Sequence, residues 1–146
     1  MELKTLNEIE IISAPHSKIN EVDFENLTFG NVFTDHMLVC DYVNGAWQKP
    51  VIEPYAPFMM DPSAKVFHYG QAIFEGMKAY KDQQDDVWLF RPDENFHRFN
   101  KSATRMAMPE VPEDIFLGGL HRLLEIEKEF TVESYDLKEI SFIFPS

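Results

Sequence analysis

An apolar segment followed by a turn signal predicts a pair of strands early in the chain. Residues 33–43 are predicted to form a strand, and Asn44-Gly45 follows them with a dipeptide that strongly favours a hairpin turn. Trp47 and then Val51-Ile52 continue into a returning strand. Because several prolines flank this second segment, we expect it to lie at a sheet edge or to follow an irregular path.

The residues before this pair carry a weaker pattern. Residues 1–18 combine acidic and β-branched residues, and we interpret them as a loosely attached N-terminal arm or a short edge strand. The segment 23–30 favours a short helical turn that ends at Gly30.

The central segment combines short apolar runs with turn signals. Residues 72–75 are predicted to form a short helix that Gly76 ends. Residues 77–81 and 87–90 then alternate as in a hairpin, with 82–86 as its polar turn.

Two amphipathic helices follow. The first starts at Pro92 with acidic residues in its first turn and ends before Pro109. Its apolar face consists of Phe96, Phe99, Ala103 and Met106. The second starts at Pro112, and its predicted core face consists of Phe116, Leu117, Leu120, Leu123, Leu124 and Ile126. The pair Gly118-Gly119 indicates close packing against a neighbour, because each helical glycine costs about 1 kcal/mol.

The end of the chain completes the predicted fold. Residues 139–145 are predicted to form a final strand. We therefore expect an α+β fold with a mainly antiparallel sheet and two amphipathic helices. Residues 19–146 would form one domain behind the arm 1–18.

Composition and charge narrow the function classes. Apolar residues make up 45% of the 146 residues and aromatic residues 14%, so there is ample material for a core. The formal net charge is -12, from 13 Lys and Arg against 25 Asp and Glu. This charge repels phosphate backbones and acidic membrane surfaces, so neither nucleic acid nor a membrane is an expected partner.

The chain carries one cysteine and no predicted targeting or membrane segment. Cys40 lies in an apolar stretch, where a small buried hydrophobic residue is favoured over a reactive thiol. The N-terminal residues are acidic and lack the long apolar core of a signal peptide. No apolar run approaches the roughly 18 residues that a membrane helix needs. We therefore expect a cytoplasmic protein.

Four residues are candidates for a binding site. Arg98 lies off the apolar stripe of its helix, and its planar guanidinium suits two phosphate oxygens; the alternative is a surface arginine paired with a local carboxylate such as Glu94. Tyr69 could donate a hydrogen bond at the rim of an apolar cavity, and Phe74 and Phe29 could line it. Core or interface packing is the alternative for all three aromatic residues.

The sequence contains no motif for a metal site or for several other kinds of catalytic or binding site. The five histidines are scattered, without ligand spacing on one helix face, and there is no Gly-rich phosphate loop or nucleophile elbow. By chemistry alone, the sequence predicts an α+β domain with an aromatic pocket.

Several runs in this order resemble one enzyme family. They are FGNVFTDHMLVCDY, PVIEPYAPF, VFHYGQAIFEGMKAYK, LFRPDENFHRFNKSATRMAMP and LHRLLEIEKEF, which together cover roughly residues 27–130. They resemble the N-terminal small domain of the branched-chain amino acid aminotransferases, fold type IV enzymes that use pyridoxal phosphate. The combination of FTDHM with HYGQAIFEGMKAY is highly specific to that family.

The resemblance implies roles for the four candidates. Arg98 matches the arginine that binds the cofactor phosphate, Tyr69 and Phe74 match residues beside the substrate, and Phe29 matches an aromatic residue of the side-chain pocket. The implied reaction is amino transfer between leucine, isoleucine or valine and 2-oxoglutarate, in a homodimer.

The resemblance also implies what this chain lacks. The family's catalytic lysine lies in a second, larger domain that these 146 residues do not contain, so we expect a fragment that is inactive alone. Phe142 and Phe144 stand near the place of the family's Tyr-x-Arg pair. The alternative hypothesis is a non-catalytic binding or dimerisation module that pairs with a full-length aminotransferase.

Overall fold

Short strands and three α-helices alternate along residues 9–28, 30–131 and 140–145, which the computed structural model describes. The strands are β1 (Glu10–Ile11), β2 (His36–Val39), β3 (Tyr42–Val43), β4 (Ala46–Trp47), β5 (Val51–Pro54), β6 (Ala72–Met77), β7 (Ala79–Lys81), β8 (Val87–Leu89) and β9 (Ile140–Pro145). The helices are α1 (Lys65–Tyr69), α2 (Pro92–Arg105) and α3 (Gly119–Ile126), with a π-helical turn at Asp114–Gly118 and 3-10 turns at Ile19–Glu21 and Lys128–Phe130. The predicted α+β class is confirmed.

A three-stranded sheet holds the first part of the chain, in the order β1-β5-β2. Strand β1 pairs with β5 in parallel, and β2 pairs with β5 antiparallel. The prediction that residues 51–52 lie at an edge is therefore wrong, because β5 is the central strand. Its prolines cause no conflict: Pro50 precedes the strand and Pro54 ends it, so neither interrupts the pairing inside it.

The predicted hairpin at Asn44-Gly45 is present, but its strands are shorter than expected. Strand β3 pairs with β4, and Asn44 and Gly45 both have positive φ, 53° and 83°, as this tight turn requires. The predicted continuous strand 33–43 is divided into β2 and β3, which belong to different sheets. Cys40 follows β2; it is half-buried, and its Sγ donates to the carbonyl of Gln48 at 3.2 Å.

Residues 72–75 are strand, not the predicted short helix. In β6 the residues Ile73, Glu75 and Met77 are buried while Phe74 is exposed, so the burial period is two. The short helix lies one segment earlier as α1, and Gly70 ends it with φ 59°. The predicted helix is therefore on the wrong side of Gly70.

Strand β6 pairs antiparallel with β9, from Ala72 opposite Pro145 to Met77 opposite Ile140. This confirms the predicted final strand. After a break at Lys78, β7 and β8 form the predicted hairpin. The Asp82 carboxylate closes its turn by accepting the backbone N–H groups of Gln84 and Asp86.

Helix α2 packs its apolar face on β6, as predicted. Phe99 and Ala103 are almost fully buried, and Phe96 and Met106 pack against the same core. The helix ends in a Schellman motif, in which the N–H of Met108 bonds to the carbonyl of Ala103 and the N–H of Ala107 bonds to the carbonyl of Thr104.

The second predicted helix is also present, although it opens with a π-helical turn. Its buried apolar residues are Ile115, Phe116, Leu117, Leu120 and Leu124. The close approach predicted from the glycine pair is confirmed at Gly119, where an added Cβ would lie 2.5 Å from Cδ2 of Leu38 on β2. A side chain there would displace β2 from the helix.

Residues 23–28 contain a local turn in place of the predicted helical turn, and residue 29 of the predicted segment lies outside the described residues. The N–H of Asn26 bonds to the carbonyl of Asp23, and the Asp23 carboxylate accepts the N–H of Glu25. An aspartate that bonds its own backbone in this way competes with helix formation. Gly30 has φ 78°.

Candidate functional site

A buried carboxylate lies on the inner face of β6. Glu75 is only 3% exposed and stands between two apolar residues of the same face, Ile73 and Met77. A carboxylate in such a position needs charged or hydrogen-bonding partners to offset the loss of water. Helix α2, which packs on this face, supplies both a charged partner and a hydrogen-bonding partner.

Arg98 of α2 is the charged partner. Its Nε donates to Oε2 of Glu75 at 2.8 Å, and its Nη2 donates to Oε1 of the same carboxylate. The guanidinium and the carboxylate therefore meet edge to edge in a two-point contact. The alternative of a surface arginine paired with a carboxylate therefore describes Arg98 correctly, but the partner is Glu75 and not the suggested Glu94, which is bonded to Arg91.

Asn95 aligns the carboxylate from one turn earlier on the helix. Its Nδ2 donates to Oε1 of Glu75 at 3.0 Å and to the carbonyl of Gly76 at 3.1 Å. The N–H of Gly76 also donates to Oε1. Glu75 is thus held by the strand that carries it and by two residues on one face of α2.

These contacts favour the charged forms of both partners. The hydrogen bonds from Arg98 hold the pKa of Glu75 below its ordinary value; burial acts in the opposite direction, and Asn95 and Gly76 add to the lowering. The hydrogen bonds with Glu75 in turn raise the pKa of Arg98. The pair is therefore an ion pair, with formal charges that cancel.

One edge of the guanidinium remains free for a ligand. The side chain of Arg98 is 67% exposed although its partner is buried, and among the described residues nothing accepts a hydrogen bond from its Nη1. Arginine presents its donors in a fixed planar fork. The outer edge can therefore offer parallel N–H groups to an oxyanion.

Phe74 lies on the other face of the strand. It is 57% exposed and sits between the buried residues Ile73 and Glu75. Because side chains alternate across a strand, its ring points away from the face on which Glu75 meets Arg98 of α2. Phe74 and Glu75 are adjacent in sequence and lie on opposite sides of β6.

Tyr69 ends helix α1 and is largely exposed. Its side chain is 82% exposed, and the chain reverses at Gly70 immediately after it. Gln71 fixes this corner by donating from its Nε2 to the carbonyl of Met106 at 2.7 Å. Tyr69 therefore lies near the end of α2 that is distant from Asn95.

The fourth candidate and the C-terminal pair are not described at the level of side chains. Phe29 lies outside the described residues, and so do the side chains of Phe142 and Phe144, although the backbone of β9 is described.

An open cleft of about 680 Å³ lies between the β7–β8 hairpin and α3, and Arg98, Tyr69 and Phe74 are not among its lining residues. Its lining residues are Asp85, Asp86, Val87, Trp88, Leu89, Pro92, His121, Leu124, Glu125 and Lys128. Several of its charged groups are already paired, since Lys128 and Lys81 both bind Asp85.

A second buried network, which the sequence analysis missed, lies at the end of α3. Glu127 is 4% exposed; its Oε1 contacts Nδ1 of His36, and its Oε2 accepts the N–H of Asp35 at 3.1 Å. The other ring nitrogen of His36 accepts the N–H of Ala14 at 2.8 Å, which makes Nδ1 the protonated nitrogen in the neutral ring. Asp35 accepts the N–H of Lys18 at 2.9 Å. This network therefore ties the arm to the domain at two points besides the pairing of β1 with β5.

Two of the buried carboxylates, Glu75 and Glu127, left a signal in the sequence. Glu75 occupies an inward position of the alternating run Ile73, Glu75, Met77 once that run is assigned as a strand. Glu127 continues the helical spacing of the buried residues Leu120 and Leu124. A charge on an apolar stripe indicates a buried partner, but it does not identify the partner.

Metal binding and membrane insertion find no support in the described residues. Within ranges 9–28, 30–131 and 140–145, no cluster of three His, Cys, Asp or Glu side chains could hold a metal ion. In the same ranges no helix has the length and apolar character needed to cross a membrane.

Comparison with known proteins decides the relationship. The chain is 51% identical over 109 residues to branched-chain-amino-acid transaminase 1 of Bacillus subtilis, 50% over 112 residues to a probable branched-chain-amino-acid aminotransferase of Staphylococcus epidermidis, and 42% over 113 residues to the branched-chain-amino-acid aminotransferase of Mycolicibacterium smegmatis. The chain is homologous to the branched-chain-amino-acid aminotransferases. The match covers 74%, 76% and 77% of the chain respectively.

The homology to these aminotransferases covers only part of their length. The chain spans about 31% of each of these three relatives. No family model matches the chain. The relationship expected from the sequence motifs is nevertheless confirmed by the relatives themselves.

Proposed function

We propose that these 146 residues supply the phosphate-binding part of a pyridoxal phosphate-dependent branched-chain aminotransferase. The observation that carries the proposal is the identity of about half of the aligned residues to such enzymes. The fixed, outward-facing guanidinium of Arg98 supports it, because the chemistry of that group suits a phosphate monoester.

The remaining N–H donors of Arg98 fit a phosphate group better than they fit the carboxylate group of a substrate. Two donors of Arg98 are used by Glu75, and those that remain lie in one plane on the exposed side. A phosphate can accept them with two of its oxygens while its third faces other groups. Pyridoxal phosphate, when bound, supplies the electron sink that lets an amino group leave one acid and join another.

The aromatic candidates would contact the substrate. Tyr69 and Phe74 are both exposed, so both are accessible to a ligand or to another part of the protein. With Phe29, they would enclose an aliphatic side chain such as that of leucine, isoleucine or valine, with 2-oxoglutarate as the amino acceptor. Apolar enclosure selects such side chains by shape and contact.

We propose further that the catalytic lysine lies outside these residues and that the chain alone does not transaminate. The lysines near the site have other surroundings: Lys81, for example, binds Asp85 at 3.0 Å. The same proposal places the active protein in the cytoplasm as a homodimer, as the family resemblance implies.

A chimera tests this function. The 109 aligned residues of this chain would replace their counterparts in the Bacillus subtilis relative, and leucine-dependent glutamate formation would be measured with added pyridoxal phosphate. We expect an active chimera, loss of activity with Arg98→Gln, and retained activity with Arg105→Gln, an exposed arginine at the end of the same helix. We expect no activity from the 146-residue chain. An inactive but folded chimera, or turnover by the chain itself, would refute the proposal.

The exposed aromatic residues favour a second candidate, a pairing module without activity of its own. Phe67, Trp88 and Phe90 are 62%, 61% and 77% exposed, and aromatic side chains are enriched at protein–protein interfaces. Such a module would bind an intact aminotransferase. Absence of any complex between the purified chain and the full-length Bacillus subtilis relative, measured by analytical ultracentrifugation, would exclude this candidate.

A further inference from the structure

Glu75 controls how Arg98 can present its donors. An arginine that is 67% exposed would otherwise sample many rotamers, and fixing such a side chain costs about 2 kcal/mol of conformational free energy. The two-point contact with a buried carboxylate removes that freedom before any ligand arrives. The carboxylate itself is immobile because β6 carries it and Asn95 holds it.

The exposed pair of Arg91 with Glu94, at the start of the same helix, is a less constrained contact. Arg91 and Glu94 lie at 2.8 Å, but their side chains are 62% and 57% exposed, so both can move freely in water. In the pair of Glu75 with Arg98, one partner is only 2% exposed. In this inner pair, Glu75 and Arg98, the buried carboxylate is therefore a fixed support for the guanidinium.

The charges of the inner pair cancel, and this decides how an anion would be held. Glu75 is ionised, since its pKa is lowered, so Arg98 brings no net positive charge to the site. An anion at the outer edge would therefore be retained mainly by directed N–H groups. The orientation of the guanidinium then matters more than its charge.

We propose that Glu75 is a positioning residue that orients Arg98 toward a phosphate monoester, with Asn95 as its support. The proposal rests on the function proposed above. It predicts a change in phosphate affinity that is opposite in sign to the change expected from charge alone. Replacing Glu75 by glutamine adds a net positive charge beside the site, yet phosphate should bind less tightly because the fork is no longer held.

The test uses the 146-residue chain labelled with ¹⁵N. The Nε–H signal of Arg98 would be followed by NMR during titration with inorganic phosphate and with pyridoxine 5′-phosphate, which cannot form a covalent link to lysine. Chloride at equal ionic strength is the reference. In the wild-type chain we expect a slowly exchanging Nε–H, because Glu75 accepts it at 2.8 Å, and a shift on addition of phosphate.

Two variants and one control separate positioning from charge. Glu75→Gln should speed the exchange of the Arg98 Nε–H and weaken phosphate binding about tenfold. Asn95→Ser, which keeps the ion pair, should give a smaller loss in the same direction, and it remains informative if Glu75→Gln does not fold. Glu94→Gln should change neither quantity, since Glu94 contacts Arg91.

The outcomes distinguish this inference from the function on which it rests. If phosphate does not shift the Arg98 signal in the wild-type chain, the proposed phosphate site is wrong. If it does, and folded Glu75→Gln or Asn95→Ser binds phosphate as tightly as wild type or more tightly, then charge governs the site and Glu75 has no positioning role.

Discussion

At the scale of single residues, the pair of Glu75 and Arg98 is asymmetric. The carboxylate is buried and the guanidinium is largely in water, so the two residues are not equivalent in their effect on stability. Loss of Glu75 leaves a cation that water can solvate. Loss of Arg98 leaves a buried anion with only Asn95 and the N–H of Gly76 to stabilise it.

Arg98→Gln should therefore destabilise the chain in a pH-dependent way. The pKa of Glu75 lies below 4.5 in the folded chain, so its ionised form contributes stability above pH 4.5 that is lost as the pH falls through the lower folded pKa. Removing Arg98 removes the largest cause of that lowering. We expect a loss of about 1–2 kcal/mol in unfolding free energy at pH 7, screened by solvent at the guanidinium, and a smaller loss at pH 3.

Urea unfolding at a series of pH values checks this prediction. Arg91→Gln is the matched control, because it breaks an exposed ion pair on the same helix and should cost less than about 0.5 kcal/mol at every pH. An equal loss for Arg98→Gln at pH 7 and pH 3 would show that lost packing, not lost charge, explains the effect.

Local patterns revealed some residue roles but not the partners. Helical spacing placed Arg98 off the apolar stripe of α2, which is where the structure has it. Its partner lies 23 positions earlier in sequence on another element, and no local pattern connects two such positions. The same holds for His36 and Glu127, which are 91 positions apart. Side-chain pairs of this kind arise only from tertiary packing.

At the scale of elements, helix ends were easier to predict than the identity of short segments. The start at Pro92 and the stop before Pro109 follow from backbone chemistry that acts locally. Residues 72–75 were assigned wrongly because four apolar and acidic residues before a glycine fit a helical turn and a strand equally well. The pairing of β6 with β9 and its packing on α2 decided between them.

The end of α2 contains an alanine at the left-handed position of its cap, where a glycine is usual. Ala107 adopts φ 54° in the Schellman motif, and a residue with a Cβ is strained in this left-handed region. Ala107→Gly should therefore raise the unfolding free energy by about 0.5–1 kcal/mol, because relief of strain outweighs the added freedom of the unfolded chain.

The control for this prediction is a glycine substitution inside the helix, which should have the opposite effect on stability. Lys101→Gly, at an exposed position of α2, should lower the unfolding free energy by about 0.5–1 kcal/mol. Thermal unfolding of both variants would show shifts in opposite directions. A destabilising effect of Ala107→Gly would mean that the left-handed conformation is not strained in this protein.

At the scale of the whole molecule, Glu127 joins the arm to the rest of the chain. Its carboxylate accepts from Asp35 and contacts His36, and these two residues accept the backbone N–H groups of Lys18 and Ala14. The end of α3 thus orders a segment that lies more than a hundred positions earlier. The sequence predicts a loosely attached arm or a short edge strand for this segment. The arm does contain an edge strand, β1, which pairs with β5, and the network at Glu127 adds a second attachment.

Glu127→Gln should loosen the arm. A glutamine can satisfy only one of the two contacts, since its amide group presents a donor where the second acceptor was. We expect a loss of about 1–3 kcal/mol in unfolding free energy and faster hydrogen exchange at Ala14 and Lys18. Hydrogen-exchange mass spectrometry on the region 9–20 would measure it.

The control is Glu125→Gln on the same helix. Glu125 is 43% exposed and pairs with Arg122 and His121, so its loss should leave the arm unchanged and cost less than about 0.5 kcal/mol. Equal exchange at Ala14 in the wild-type and Glu127→Gln chains would show that β1 alone holds the arm.

The neighbouring positions of Phe74 and Glu75 on β6 have a consequence for the register of this strand. One side of the strand carries the ion pair and the other carries an exposed ring, and the pairing with β9 sets which residue lies opposite which. A slip of β6 by one residue against β9 would exchange the two sides, placing an aromatic ring against α2 and a carboxylate in water. A slip by two residues would restore the original parity. The register of this one strand pair therefore determines which surface of the molecule can hold an anion.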